Sequence, residues 1–405
     1  RCRVRRARRM GTVSESPDSA NPTHDRGPLH DMRVIDLSTV IAGPKCASYL
    51  ADFGADVIKV ERPDGGDSLR RLAWRDPRDG EGLWWKLVNR NKRTIALDLK
   101  LADDLELLRR LVEQADVLIE NFRPGTLERL GLAPDELLVL NPSLIITRVT
   151  GFGQTGPYRN RPGFATIAES MSGLAAISGE PDGQPLLPAI ALTDEVTGVV
   201  AAFATMVALR SGVGQVVDIS LLESLFQLMG PLISLYELTG QMQERLGSGL
   251  PYSVPRGTYQ CSDGRWIGVS TSSDSVAARV LKLLGVGDDA RFTTFAARME
   301  NREALEAVMT AWCAVRTQPE VMDAFTAAEA AIGPVMTMAD IAADPHYAAR
   351  GAIAEVDGTP MQGLIARLSA TPGALRWQGR PMDADGDDIR ANGWGADRAD
   401  ETEQP

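Results

Sequence analysis

Short apolar runs alternate with amphipathic stretches through the first half of the chain. Arg33–Leu37 (RVIDL), Ala55–Val60 (ADVIKV), Thr94–Leu99 (TIALDL), Asp116–Glu120 (DVLIE) and Ser143–Val149 (SLIITRV) read as strands. Between them Gly43–Phe53 has helical spacing, Ala102–Gln114 sets Leu105, Leu108, Leu111 and Val112 on one face, and Pro124–Leu130 opens a further helix. Strands and helices alternating across short loops predict an open, mostly parallel α/β sheet, in which ligands sit at the carboxyl ends of the strands.

The texture changes after Gly151. Gly153–Asp182 is rich in Gly, Pro and Ser; an apolar helix, Glu195–Arg210, follows, then a turn, a strand at Gln215–Ile219, and one or two long helices over Leu221–Met242. A smaller α/β region carries strands at Gly257–Gln260 and Trp266–Ser270 and alanine-rich helices at Arg302–Val315 and Gln318–Ala331. Pro334–Arg350 and Pro372–Gln378 read as loops returning to the first domain. The expected organisation is an extension over 1–31, a large domain over 32–220, a helical linker over 221–250, a small domain over 251–335, a return over 336–382 and a solvated acidic tail over 383–405. The arginine-dense start has no apolar stretch behind it, so it reads as disordered, with an organellar transit peptide as the alternative.

Acids outnumber bases 54 to 43, giving a net charge of -11. Such a chain is a poor general binder of nucleic acid, and any anionic ligand must be held by local cations. No apolar run reaches bilayer-spanning length; Val196–Leu209 reads as a buried helix, and no membrane partner is expected. The four cysteines show neither CxxC nor metal-ligand spacing, which fits a reducing compartment, the cytoplasm, and no metal. Of the three histidines only His346 lies in the folded part, so a histidine relay starts badly. The glycine spacings of dinucleotide, nucleoside-triphosphate and nucleophile-elbow motifs are all missing.

What remains is a set of polar residues at strand ends: Glu61-Arg62, Asn91-Lys92-Arg93, Lys100, Glu120-Asn121 and Arg129. Any one of them is ordinary surface charge. Their recurrence at successive strand ends points to a phosphate-bearing ligand. Asp194 precedes the apolar helix. It is either a plain N-cap or a carboxylate nucleophile kept ionised by the helix N-terminus. Asp218 and Glu223 look structural.

Several ordered blocks resemble the class III CoA-transferases, the formyl-CoA and carnitine CoA-transferase family that includes the α-methylacyl-CoA racemases. They are RVIDLSTVIAGPKCASYLADFGADVIKVERPDGGD, NKRTIALDLK, ADVLIENFRPGTLERLG, GFGQTGPYRNRPGF, SGLAAISGEPDG, ALTDEVTG, GQVVDISLLES and IGPVMTMADIAADPHYAARG. The resemblance spans roughly residues 32 to 380. It implies a Rossmann-like large domain plus a small domain, two subunits interlocked as rings, Asp194 as nucleophile, and CoA contacts at Val40, Ala42, Arg62, Leu97, Lys100, Asn121, Phe122, Arg129 and Leu130. Coenzyme A enters as substrate, with no prosthetic group.

Two departures narrow the activity. Phe164 stands where the racemase branch has its histidine, which disfavours two-base racemisation. Ile41 replaces a glutamine of formyl-CoA transferase, and no glycine-rich loop appears near Leu250–Gly257, which puts formate and oxalate in doubt. The expected activity moves CoA from an acyl-CoA to a free carboxylic acid, such as succinate, malate, citramalate or mesaconate, through an aspartyl anhydride and an aspartyl-CoA thioester. The alternatives are an acyl-CoA racemase or isomerase and a catalytically silent CoA-binding protein.

Overall fold

The computed structural model describes residues 27–395. Six strands form one wholly parallel sheet: β1 is Arg33–Asp36, β2 Asp56–Glu61, β3 Lys92–Ala96, β4 Val117–Glu120, β5 Ile145–Thr150 and β6 Gln215–Ser220. Their order across the sheet is β3-β2-β1-β4-β5-β6. Neighbouring residues of a strand face opposite sides. Ile35, Ile58, Ile95, Leu118 and Ile146 therefore pack with helix Ala102–Glu113, while Val34, Val57, Val117 and Ile145 meet helices Ala42–Asp52 and Leu192–Ser211. Burial on both faces is why these strands read as continuous apolar runs. The strand order reverses between β1 and β4, so the loops after these two strands diverge and leave a crevice.

A second core lies in the small antiparallel sheet of Gly257–Gln260, Trp266–Val269 and Ile332–Pro334, covered by helices including Asp274–Leu283, Arg302–Ala314 and Gln318–Ala327. The chain then returns to the large sheet. Asn91 Nδ2 donates to Ala374 O, Trp377 Nε1 to Lys92 O, and Gly379 N to Lys86 O.

The structure corrects the expected outline in several places. The third strand begins two residues early, at Lys92, because the Lys92 ammonium is buried against Asp36, Pro44 O and Asn89. Lys92 and Arg93 thus open β3 at its amino end: Arg93 pairs with Asp56 at the start of β2, and the Lys92 ammonium reaches the carboxyl end of β1 only as a buried partner of Asp36, so neither offers a free cation at the mouth, where they were expected. Leu221–Met242 is broken at Gly230-Pro231 into short helices, Leu221–Phe226 and Leu232–Thr239. Pro334–Arg350 holds two short helices, Met338–Ala343 and Pro345–Ala349, capped by Thr337 and Asp344. Order begins before residue 32, since Leu29 N donates to Phe53 O.

The largest correction is the acidic tail. Residues 383–395 are folded: helix Gly386–Asn392 brings Ile389 and Trp394 into the core beside Leu111. Asp383 and Asp385 accept the N–H groups of Ala96 and Thr94 at 2.8 and 2.9 Å. These acids close the open edge of β3, where backbone donors would otherwise lack partners. The rest of the tail, 396–405, and most of the N-terminal extension, 1–26, lie outside the described residues.

Candidate active site

The crevice at the strand reversal is built on a buried ionic floor. Lys59 lies 3.6 Å from Asp36 and 3.4 Å from Asp67, and Lys92 lies 2.9 Å from Asp36, with all four side chains out of solvent. Burial alone would push the Asp36 carboxyl up, but the two lysines hold it below its ordinary value; burial pulls Lys92 down to about 8. The network reaches the loop after β1. Lys59 donates to Ser38 O, and both Asp67 oxygens accept from Val40 N at 3.2 Å. Val40 sits at φ 67°, a left-handed conformation that β-branched residues resist. Asn121 clasps the same loop from β4, accepting from Thr39 N at 2.8 Å and donating to Thr39 O at 2.7 Å.

Two cavities open above this floor and share Thr39 and Phe122. The first, about 400 Å³, has apolar walls of Leu37, Val60, Leu97, Leu99, Phe122 and Leu130, with Arg62 and Lys100 also in its lining. The strand-end acids nearby are spent internally. Glu61 is bridged by Arg70 at 2.9 and 2.6 Å, and Glu120 takes Arg148 at 2.6 Å and Phe122 N at 2.6 Å. Among the described residues the Arg62 side chain donates to Gly66 O alone and Lys100 makes no ion pair, so both keep charge for a ligand. The second cavity, about 340 Å³, is lined by Val40, Ile41, Ala42, Asn121, Arg123, Arg159, Arg161, Phe164 and Asp194, among others.

Asp194 is the third residue of helix Leu192–Ser211, whose N-cap position is held by Ala191. The N-cap reading is therefore set aside. Among the described residues no donor or cation meets its carboxylate, although neighbouring acids are served: Glu169 accepts from Thr193 Oγ1 at 3.0 Å, and Glu195 lies 3.3 Å from Lys45. The expectation of a carboxylate held ionised by the helix also needs correcting. Burial, with Glu169 and Glu195 close by, pushes Asp194 up to about 6. It is still mostly ionised at neutral pH, and a raised pKa makes a more basic nucleophile.

The helix that carries Asp194 is buried on one side only. Ala201, Thr205 and Ala208 face the core, whereas Val199, Phe203 and Val207 are 41, 70 and 56% exposed. Its 20 residues have the length and hydropathy of a membrane span, but Asp194, Glu195 and the buried face belong to the fold around the site.

Of the residues expected in the site, Val40, Ala42, Arg62, Leu97, Lys100, Asn121, Phe122, Leu130 and Asp194 line these two neighbouring cavities. Arg129 does not; it donates to Thr126 Oγ1 at 2.7 Å, beside Leu130. Asn121 is present chiefly as a clasp, since its amide is engaged with Thr39. Sequence reasoning missed Thr39, Arg123, Arg159, Arg161 and Glu169. The Arg-x-Arg spacing in GFGQTGPYRNRPGF was a usable signal for two of them; a buried acid on helix Ala165–Met171 left none. No group of acids, histidines and cysteines fit for a metal occurs among the described residues.

The chain matches the model of CoA-transferase family III over residues 29–386. It is 41% identical over 364 residues to the succinyl-CoA–D-citramalate CoA-transferase of Chloroflexus aurantiacus, covering 87% of this chain and 90% of the relative. It is 37% identical to the succinate–glutarate CoA-transferase of Agrobacterium fabrum, covering 87% and 91%. The crystal structure of a CaiB/BaiF family protein from Brucella suis superposes with a TM-score of 0.81 at 33% identity, over 90% of this chain and 99% of that one.

Proposed function

The chain belongs to CoA-transferase family III and is a CoA-transferase; on that premise we propose that it moves CoA between small dicarboxylic acids through covalent intermediates on Asp194. The observation that carries this reading is the unspent Asp194 carboxylate in a cavity that shares Thr39 and Phe122 with a cation-bearing pocket. Arg62 and Lys100 take the phosphates of CoA, the apolar walls around Leu97 and Leu130 take its base, and the pantetheine arm passes Thr39 and Phe122 toward Asp194. The dicarboxylate assignment rests on the substrates named for the two relatives.

In the proposed course Asp194 attacks the thioester carbonyl, the C–S bond breaks, and an aspartyl–acyl anhydride and CoA thiolate form. The thiolate attacks the aspartyl carbonyl and expels the donor acid, leaving an aspartyl-CoA thioester. The acceptor carboxylate attacks that thioester and gives a second anhydride and thiolate. Attack of the thiolate on the acceptor's acyl carbon releases the new acyl-CoA and restores Asp194. Each step exchanges groups of similar energy, which is the gain from covalent catalysis. Phe164, which cannot carry a proton, leaves the racemase alternative without a second base.

Asp194→Asn keeps shape and volume and removes only the anion. It should fold and bind CoA yet lose turnover, while wild type given acyl-CoA and hydroxylamine should yield a hydroxamate at residue 194. An active Asn variant with no trappable adduct would overturn the mechanism. The exposed stripe Val199–Phe203–Val207, spaced by four residues, supports a second copy covering this helix, as in the expected interlocked homodimer.

A further inference from the structure

The loop between β5 and helix Ala165–Met171 is unusually well fixed for an exposed segment. Its ends are pinched where Gly151 meets Gly163; a Cβ on Gly151 would stand 2.7 Å from the Gly163 Cα. Gly153 N donates to Thr150 Oγ1 at 2.9 Å, and Gln154 N donates to the Asp218 carboxylate at 2.9 Å. Within the loop the Arg161 guanidinium lies 3.8 Å from the Tyr158 ring centre, and Tyr158 packs edge-on against Phe152 at 5.9 Å. Arg161 N also donates to Tyr158 O at 2.8 Å.

Stacking holds the plane of a guanidinium without using its N–H donors. Among the described residues neither the Arg161 nor the Arg159 side chain has an acidic or carbonyl partner, although both line the cavity that holds Asp194. Other arginines nearby are occupied: Arg70 on Glu61, Arg90 on Asp52 and Arg148 on Glu120. Arg123 lines the same cavity and among the described residues its side chain also has no acidic or carbonyl partner, but it directly follows Phe122, which both cavities share, and lacks the aromatic stacking that fixes Arg161. Arg159 and Arg161 line only the cavity of the nucleophile, together with Phe164, Val149 and Leu221. A cationic fork, an apolar wall and a reacting carboxylate in one cavity match a short acid with a second carboxylate at its far end.

We propose that Arg161, supported by Arg159, is the receptor for the non-reacting carboxylate of the acid, and so sets the preference for dicarboxylates. This rests on the CoA-transferase reading above. A bidentate guanidinium–carboxylate contact distinguishes a charged far end from a neutral one of the same shape.

The test uses the full-length enzyme with succinyl-CoA as fixed, saturating donor and two acceptors, glutarate and its neutral-ended monoamide, glutaramate. The readout is the ratio of kcat/KM for the two acids, with inhibition constants of both giving the same ratio where the amide turns over slowly. Arg161→Met should lower the glutarate preference by about 10- to 100-fold, the range for a lost charged hydrogen bond. Arg161→Lys should fall between, because an ammonium keeps the charge but not the fork. CoA affinity, measured by calorimetry, should hold within about twofold. A ratio unmoved in both Arg161→Met and Arg159→Met overturns the inference. So does an equal loss for both acids with weakened CoA binding, which would make these residues phosphate contacts. Wild type that passes CoA to neither acid would sink the reading of the preceding subsection and this one with it; wild type that uses glutarate with an unmoved ratio sinks this one alone.

Discussion

Asp194 should control an acid limb in the first half-reaction. Its carboxyl is pushed up to about 6, first by burial and then by Glu169 and Glu195. A protonated carboxyl is no nucleophile, so formation of the covalent adduct must slow as pH falls through that value. With a midpoint near 6, about one molecule in eleven is ionised at pH 5, and kcat/KM for the acyl-CoA should sit about tenfold below its plateau. The assay is adduct formation with acyl-CoA alone, quenched at each pH and developed with hydroxylamine afterwards at one fixed pH, so that neither an acceptor acid nor the trapping reagent titrates. The 3′-phosphate of CoA ionises in the same region. Glu169→Gln separates the two: it removes one negative neighbour, keeps an oxygen to accept from Thr193, and leaves the substrate unchanged. The limb should move down by about one pH unit or less, since burial, the leading cause, persists. A wild-type limb near 4, or a limb unmoved by Glu169→Gln, would refute the electrostatic account. The sign for stability is opposite. The unfolded carboxyl ionises near 3.8 and the folded one near 6, so the folded state loses stability as pH rises between them. Asp194→Asn should accordingly melt higher than wild type at pH 7.

Arg62→Ala and Lys100→Ala should each weaken CoA binding by about 1–2 kcal/mol, less than a buried charged contact because both are exposed, and the loss should shrink in high salt; equal affinity by calorimetry would remove them from the site. Trp394→Ala should cost about 3–5 kcal/mol in denaturant unfolding, since the indole is 7% exposed and donates to Leu111 O at 2.9 Å; a loss below about 1 kcal/mol would mean the acidic end is a tail after all. Phe203→Glu should dissociate the proposed homodimer in light scattering, because the ring is 70% exposed on the uncovered helix face; a wild-type monomer at assay concentration would contradict the dimer.

Much of this protein was legible in the order of its residues. Strands buried on both faces write themselves as apolar runs, so the parallel sheet and its helices followed from local pattern; nine of the ten site residues implied by the family resemblance lie in loops and element ends that the sheet gathers at one crevice. Charge was less legible, because its meaning depends on partners distant in sequence. Lys92 looked like surface charge until Asp36, 56 residues away, was brought beside it. Asp383 and Asp385 looked like a solvated tail until their carboxylates met the open edge of β3, 287 and 291 residues back. Asp194 could be located by motif, but its proton affinity could not. That is set by how much water the fold excludes and by Glu169 on another helix, and both arise only when the chain has closed around them. Local pattern specifies elements because periodicity is a property of neighbours in sequence; the state of a charge belongs to neighbours in space.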